Sequence, residues 1–509
     1  MSRLTTAAAF ALAASSMLAC VTGCGALRSD GKTRGWVVVE TDNLRVRTNV
    51  GTDKAVELAG RYQRIRDAIA EYELPCAFDR LTAPLEVTVL VHAGQPSFFR
   101  PSQAPLLGLR PQLVLRSANE VDTVRLFTHE MTHQLVAACF PGAPVWFNEG
   151  MASFYETARL VEDELTLGYP PYVFMRSENW RVAPIYKREL DGQKVWVLAN
   201  VLAPTVGELR AMSPSDFYSM KPEEEVAHYA GSWALIHLLR YGEPSFNAPF
   251  NRYQRALNAG ENEASAWNVS FAELDVAGRY QRYLTEDYFA RARTVRTPKP
   301  MNLHARPLSQ GETALLLAEL EPWNDKQGVQ RAERYIALAE KQEPTRSDAR
   351  LLRAALLLSG GDRVRSVGML QTALAEDPTN PDLLSALLGM NLGSNEPTDA
   401  TKERLIAWLQ TLLKTATNSH HFAVAAAGEI RLHHDPRTAL ALAQRAIELD
   451  GSNLLAYWVA GDAYSSLGDV PEALGAYKAA LALSGHLSDE ARRLLEEQVA
   501  TLMARRTPE

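Results

Sequence analysis

No run of lysine and arginine interrupts this 509-residue chain, and its formal net charge is a mild −7. Nothing in it is therefore suited to a phosphate backbone, and nucleic acid is not an expected partner. A phosphate-cradling glycine loop and a dinucleotide fingerprint are also missing, which removes the common nucleotide-using enzymes. The apolar stretch from Leu4 to Leu18 is too short and too weakly hydrophobic for a permanent spanning helix. Cysteine is scarce: Cys20, Cys24, Cys76 and Cys139 are the four present. The length left after an export segment, about 480 residues, suits two or three domains.

The N-terminus reads as export machinery. Arg3 supplies the positive region, Leu4 to Leu18 the apolar core, and cysteines follow at once. Val21-Thr22-Gly23-Cys24 matches a bacterial lipobox, in which small residues precede a cysteine that is lipidated and becomes the mature N-terminus. Met17-Leu18-Ala19-Cys20 is a poorer version. Cys24 is thus the expected lipid site, with residues 1–23 as signal peptide and 24–34 as tether. An ordinary signal peptide that releases a soluble enzyme is the alternative. Gly25 replaces the Asp that retains lipoproteins in the inner membrane, so the expected home is the outer membrane, facing the periplasm. In that oxidising compartment Cys76 and Cys139 can form a disulfide or stay as two buried thiols.

The chemistry centres on His129-Glu130-Met131-Thr132-His133. Ser117 and Glu120 read as a capping box that starts a helix just before Val121. Val121, Val124, Phe127, Met131 and Leu135 recur at helical spacing, and Pro141-Gly142 stops the run. The two histidines then lie one above the other on a helix face, with Cβ atoms about 5–6 Å apart, and can share one tetrahedral metal ion. Glu130 sits one step round the helix, placed to act on water rather than to bind the metal. A catalytic zinc takes three protein ligands and keeps one position open. Glu149, in Trp146-Phe147-Asn148-Glu149-Gly150, is the best candidate for the third. It sits on a second helix expected from Pro144 to about Leu160, with Gly150 and Ala152 small where that helix must pack closely on the first.

The order His-Glu-x-x-His, short loop, Pro-x-Trp-x-x-Glu-Gly-x-Ala resembles the peptidase MA-like families of gluzincin metallopeptidases. The metzincin alternative fails, because it needs Gly at 136 and His or Asp at 139, where this chain has Val136 and Cys139. The preceding stretch is similar too: a strand pair at Trp36–Thr48, a helix at Asp53–Tyr72 and a strand at Leu85–His92. The resemblance covers roughly residues 35 to 290, and its sharp motifs are confined to 129–152. It implies one catalytic zinc held by His129, His133 and Glu149, with Glu130 as general base. One departure is Ser153, where some members place an Asp to orient a ligand histidine; a serine hydroxyl does a weaker version of that job. An oxyanion also needs a donor. Related families carry a Tyr in a Tyr-x-x-Ser segment, which points to Tyr229 in the helix expected from Val226 to about Tyr241, with His228 as competitor. His92, His237, His420, His421, His433 and His434 read as structural residues.

The C-terminal half is repetitive. Ala332, Ile336, Ala339 and Pro344 return 34 residues later as Ser366, Leu370, Ala373 and Pro378. The pattern recurs at Ala439, Ala443, Ala446 and Gly451, then after another 34 at Ala473, Tyr477, Ala480 and Gly485. Tyr457, Gly461, Tyr464 and Ala473-x-x-x-Tyr477 fit the tetratricopeptide template of interlocking small and large residues. An irregular helix pair at about Pro381–Thr415, with a loop near Ser394–Thr398, absorbs the extra residues between the two halves of the pattern. Five helix pairs and a closing helix at about Asp489–Arg505 make a short solenoid, whose concave face suits an extended peptide or helix of a protein partner or serves only for packing.

The expected fold is thus an α+β gluzincin-like metalloprotease domain (small sheet plus zinc helices) at 35–290 and a proline-bearing linker at 291–310. An all-α tetratricopeptide solenoid at 311–487 and a capping helix with tail at 488–509 complete it. The expected function is a zinc peptidase of the bacterial envelope, lipid-anchored in the membrane. Lack of the Gly-Ala-Met-Glu-Asn signature argues for endopeptidase action on peptides or proteins. The rival is a non-catalytic envelope scaffold that works through its repeats, with a silent or structural zinc site.

Overall fold

The computed structural model of the chain describes residues 35–81, 84–90, 98–100, 107, 112–116, 120–140, 143–169, 185–190, 193–198, 204–213, 216–217, 219–259, 261–285, 293–297, 302–392, 399–483 and 489–506. The export segment with Cys20 and Cys24, the cap residue Ser117, His92 and the loop at 394–398 lie outside the described residues. Among those that are described, no helix is long and apolar enough to cross a membrane. The chain is mostly helical with a small mixed sheet, as an α+β region joined to a helical region requires.

In chain order the strands are β1 (Val37–Glu40), β2 (Leu44–Thr48), β3 (Leu85–Leu90), β4 (Phe98–Arg100), β5 (Gln112–Arg116), β6 (Arg159–Val161), β7 (Glu164–Leu167), β8 (Ile185–Leu190), β9 (Gln193–Leu198), β10 (Arg293–Arg296) and β11 (His304–Pro307). The helices that build the site are α1 (Thr52–Tyr72), α2 (Pro75–Arg80), α3 (Glu120–Cys139), α4 (Val145–Glu156), α5 (Val206–Ala211) and α6 (Pro222–His237). Two compact units divide the described residues. One falls within Met1–Ala59, Arg80–Arg116 and Asn302–Glu509, the other within Gly60–Asp79 and Ser117–Met301.

The first unit holds a six-stranded sheet in the order β11-β1-β2-β3-β5-β4, parallel at β2–β3 and β3–β5 and antiparallel elsewhere. Alternation in β2 sends Leu44, Val46 and Thr48 inward and leaves Arg45 and Arg47 on the other face, as a two-residue period dictates. That second face carries a polar network beside buried Val38 and Val114. Arg47 reaches Gln112 at 3.0 Å and Glu319 at 3.4 Å, and Thr88 donates to Gln112 at 3.2 Å. Trp36 and Val114 pack with Leu316, Leu317 and Leu320 of the helix Gln310–Leu320. Strands 35–48 and 85–116, expected to go with the metal helices, therefore group with the C-terminal helices. The stretch 291–310, read as a linker from its prolines, carries β10 and β11. Pro307 is compatible with β11 because that strand is a sheet edge, where a missing N–H forfeits no ladder bond.

Past the sheet, helices pack in succession: Gln310–Leu320 with Lys326–Gln342, Ser347–Ser359 with Arg363–Glu376, Pro381–Leu392 with Asp399–Thr415, Ser419–Gly428 with Pro436–Leu449, and Leu454–Leu467 with Val470–Ala482. Asp489–Arg506 closes the series. Local chemistry sets the turns, since Asp325, Asp362, Asp435 and Asp469 each cap a second helix by accepting a backbone N–H. Ala332, Ile336 and Ala339 are buried in one pair, and Ala473, Tyr477 and Ala480 in the last. Gly461 admits the Tyr477 ring, because a Cβ there would lie 2.6 Å from it.

The second unit packs aromatic side chains around α3 and α4. Tyr62 of α1 stacks on Phe127 at 4.1 Å, and Trp146 stacks on Tyr253 at 5.9 Å. A buried carboxylate, Glu73, receives Arg240, Arg293 (3.1 Å) and the Tyr155 hydroxyl (3.2 Å). Such a pairing offsets the large penalty of an isolated buried charge. The helix expected to run from Pro144 to about Leu160 ends at Glu156 instead. The chain then turns into the β6–β7 hairpin, with Glu162 in the left-handed region at φ 49° and Thr157 donating to the Tyr169 carbonyl at 2.7 Å. Helix α6 starts at Pro222, earlier than expected, and passes into a π-helical turn at Leu238–Gly242.

Candidate metal centre

Helix α3 buries Val124, Phe127, Met131 and Leu135 and leaves His129, Glu130 and His133 partly exposed on another face. Thr128 and Thr132, also buried, return their hydroxyls to the carbonyls of Val124 (2.9 Å) and Thr128 (2.6 Å), so no polar group is stranded inside. Helix α4 is buried over nearly its whole length. Its close approach is to α6 rather than to α3 at the position expected: a Cβ on Gly150 would lie 2.7 Å from both the Ser232 carbonyl oxygen and Ile236 Cγ1.

These helices bring His129, His133 and Glu149 together. Glu149 Oε2 lies 3.6 Å from His129 Nε2 and 3.5 Å from His133 Nε2, and the three donor atoms are all within 4.8 Å of one another. A tetrahedral zinc bound at 2.0–2.1 Å separates its ligands by about 3.3 Å. Two imidazole nitrogens and one carboxylate oxygen at this spacing therefore fit zinc in both distance and donor type. Among the described residues no other group of His, Cys, Asp and Glu has such an arrangement.

The far nitrogens of both rings are already engaged. His129 Nδ1 donates to Glu156 Oε2 at 2.9 Å, and His133 Nδ1 donates to Asn148 Oδ1 at 3.0 Å. Each bond selects the tautomer that points an Nε2 lone pair at the cluster. Arg125, one turn before His129, lies 3.5 Å from the same Glu156 oxygen. Burial disfavours a charged His129, but the adjacent carboxylate of Glu149 and the hydrogen bond to Glu156 outweigh that and hold its pKa at about 10. A metal entering here displaces a proton. The Ser153 hydroxyl, expected to help orient a histidine, is fully buried and makes no hydrogen bond among the described residues. Glu156 does that work, because it is seven residues after Glu149 and so returns to the same helix face. Neither Glu156 nor Asn148 was identified from the sequence, although the seven-residue offset is visible there.

Of the two oxyanion candidates, Tyr229 faces the cluster, its ring 6.2 Å from that of His129 and packed edge-on against Phe217 at 5.0 Å. His228 instead donates to the Glu224 carbonyl of its own helix at 2.9 Å. Glu225, one turn before Tyr229, was not singled out in the sequence. Burial raises its pKa, and so does the charge of Glu149.

Four further histidines are occupied elsewhere. His237 is fully buried between the Tyr283 hydroxyl and the Gly168 carbonyl. His421 meets Asp382 at 2.8 Å, His433 meets Glu429 at 2.8 Å, and His434 bonds the Ile430 carbonyl at 3.1 Å. Cys76 and Cys139 form a disulfide that joins α2 to the end of α3. No protein-family model matches the chain, and no curated protein matches it either.

Proposed function

We propose that this chain is a zinc-dependent peptidase of the bacterial cell envelope, built like the gluzincin metallopeptidases and followed by a tetratricopeptide-type helical array. The observation that carries this reading is the division of labour within the two imidazoles. Each Nδ1 is tied to an outer partner, and each Nε2 meets the Glu149 carboxylate. Three protein donors, among the described residues, suit a centre with a position left for reaction, whereas a purely structural zinc takes four. This favours an enzyme over the scaffold alternative.

When bound, zinc supplies an acidified water and polarises a carbonyl. The chain's own groups do the rest. Glu130, adjacent to His129 on α3, takes the proton from water and passes it to the leaving amine. Tyr229 directs its hydroxyl toward the oxygen on which negative charge develops. Glu156 and Asn148 keep the ligand rings from rotating. Cys24 is the proposed lipid anchor that holds the protein at the outer membrane, and the concave face of the helical array is the proposed dock for substrate or a protein partner. Endopeptidase action on peptides or proteins is the proposed mode.

The decisive variant is Glu130→Gln. It is expected to keep zinc, by elemental analysis, while peptide cleavage falls by about 10²–10⁴-fold. Equal cleavage by both forms would remove the mechanism. His133→Ala should lose the metal itself. Comparing envelope peptides from cells with wild-type protein and with Glu130→Gln would identify the products that depend on it.

A further inference from the structure

We propose that Glu225 forms a cation subsite beside the metal centre, so that the substrate presents an ammonium or guanidinium group close to the bond to be cleaved. This rests on the peptidase reading above and names the substrate class for the same site.

The placement follows from helix register. Glu225, Tyr229, Ser232 and Ile236 are spaced by four, three and four residues, so they share one face of α6. The C-terminal part of that face is pressed onto α4, where Gly150 admits Ser232 and Ile236. One turn back, the Tyr229 ring stands 6.2 Å from His129. A further turn back, about 6 Å along the axis, the face extends past the packed contact, and Glu225 occupies it. Its side chain is half-buried, yet among the described residues it has no hydrogen bond and no ion pair.

The carboxylates of Glu130, Glu149, Glu156 and Glu225 are carried by the three helices α3, α4 and α6. A half-buried carboxylate held in this way gains more from a charged partner than a fully solvated one does. A tyrosine hydroxyl and a carboxylate one turn apart would then fix a substrate at two points, one neutral and one charged.

Two sources can supply that charge: the amino terminus of a peptide or the side chain of an internal lysine or arginine. Hydroxamates bind zinc directly and need no turnover, so they test the subsite apart from catalysis. The zinc-loaded full-length protein is titrated calorimetrically with leucine hydroxamate, which has an α-amine, and with 6-aminohexanoyl hydroxamate, which has only a distal amine. The third probe, 4-methylpentanoyl hydroxamate, has none. One amine-bearing probe is expected to bind at least about tenfold more tightly than the amine-free one. In Glu225→Gln that advantage should shrink to about twofold or less, with the amine-free probe unchanged. Preference for leucine hydroxamate assigns the subsite to a chain terminus, and preference for the distal amine to a basic side chain. Equal binding of all three by wild type overturns the subsite and spares the metal centre, as does an advantage that survives Glu225→Gln. Binding of none of them removes the metal centre and the subsite together.

Discussion

Glu156 Oε2 stands 2.9 Å from Nδ1 of His129, two helical turns beyond Glu149 on the same helix. Arg125 holds that carboxylate from the other side, so the ring it orients has little freedom. Glu156→Gln is therefore expected to weaken zinc binding by about 10–100-fold while the fold is retained. Competition with a coloured chelator measures this, and circular dichroism checks the fold. Unaltered affinity would show that the hydrogen bond does not tune the ligand.

Tyr229→Phe removes one hydroxyl and leaves the ring against Phe217 and His129. Zinc content should not change. The rate constant for cleavage should fall by about 10²–10³-fold, the usual effect of losing one oxyanion donor, with KM little altered. A loss confined to KM would instead assign the hydroxyl to ground-state binding. His228→Ala, whose imidazole is tied to its own helix, serves as the matched control and should retain activity.

At Gly150 the backbones of α4 and α6 approach closely. An alanine Cβ would meet a backbone carbonyl oxygen at 2.7 Å, and backbone cannot yield as a side-chain tip can. Gly150→Ala should lower stability by about 1–3 kcal/mol, as overpacking does in a filled interior. The midpoint of chemical denaturation reports it. Because Glu149 is the adjacent residue, zinc affinity should fall in the same variant; a stable variant with full affinity would contradict the close approach.

Acid sensitivity is expected where β11 joins the helix Gln310–Leu320. Hydrogen bonds from Arg306, at 2.8 Å to each carboxylate oxygen, hold Glu312 at about 2 against an ordinary value of 4.5. A carboxyl whose pKa is depressed on folding stabilises the protein fully above 4.5 and loses that contribution as pH falls toward 2. Arg306→Ala should thus destabilise by about 1 kcal/mol at neutral pH, since the pair is partly solvated. Its difference from wild type should close on acidification, as followed by denaturation at several pH values.

The cluster of His129, His133 and Glu149 was legible in the sequence because its members lie on two neighbouring helices, and four-residue spacing converts directly into a shared face. Helix pairs in the C-terminal half were legible for a similar reason: small residues, aspartate caps and turns recur locally. What escaped depends on distant partners. β1 pairs with β11, whose residues lie more than two hundred positions away, so Pro307 suggested a linker where it lies on an edge strand. Helix α4 looked longer than it is because Arg159, Leu160 and Val161 suit either state until β7 folds back on them. Glu156 escaped because seven-residue offsets are common in helices, and only the fold shows which one meets a ligand histidine. The same limit applies to Glu225, whose significance depends on the crossing of α4 and α6.

The disulfide between Cys76 and Cys139 makes the rigidity of the histidine helix a matter of surroundings as well as sequence. Where glutathione keeps thiols reduced, the end of that helix has no covalent tether. Closing a loop of 63 residues is worth about 4 kcal/mol in the chain-entropy account. The helix carrying His129 and His133 would thus be held least firmly in a reducing compartment, and most firmly in an oxidising one.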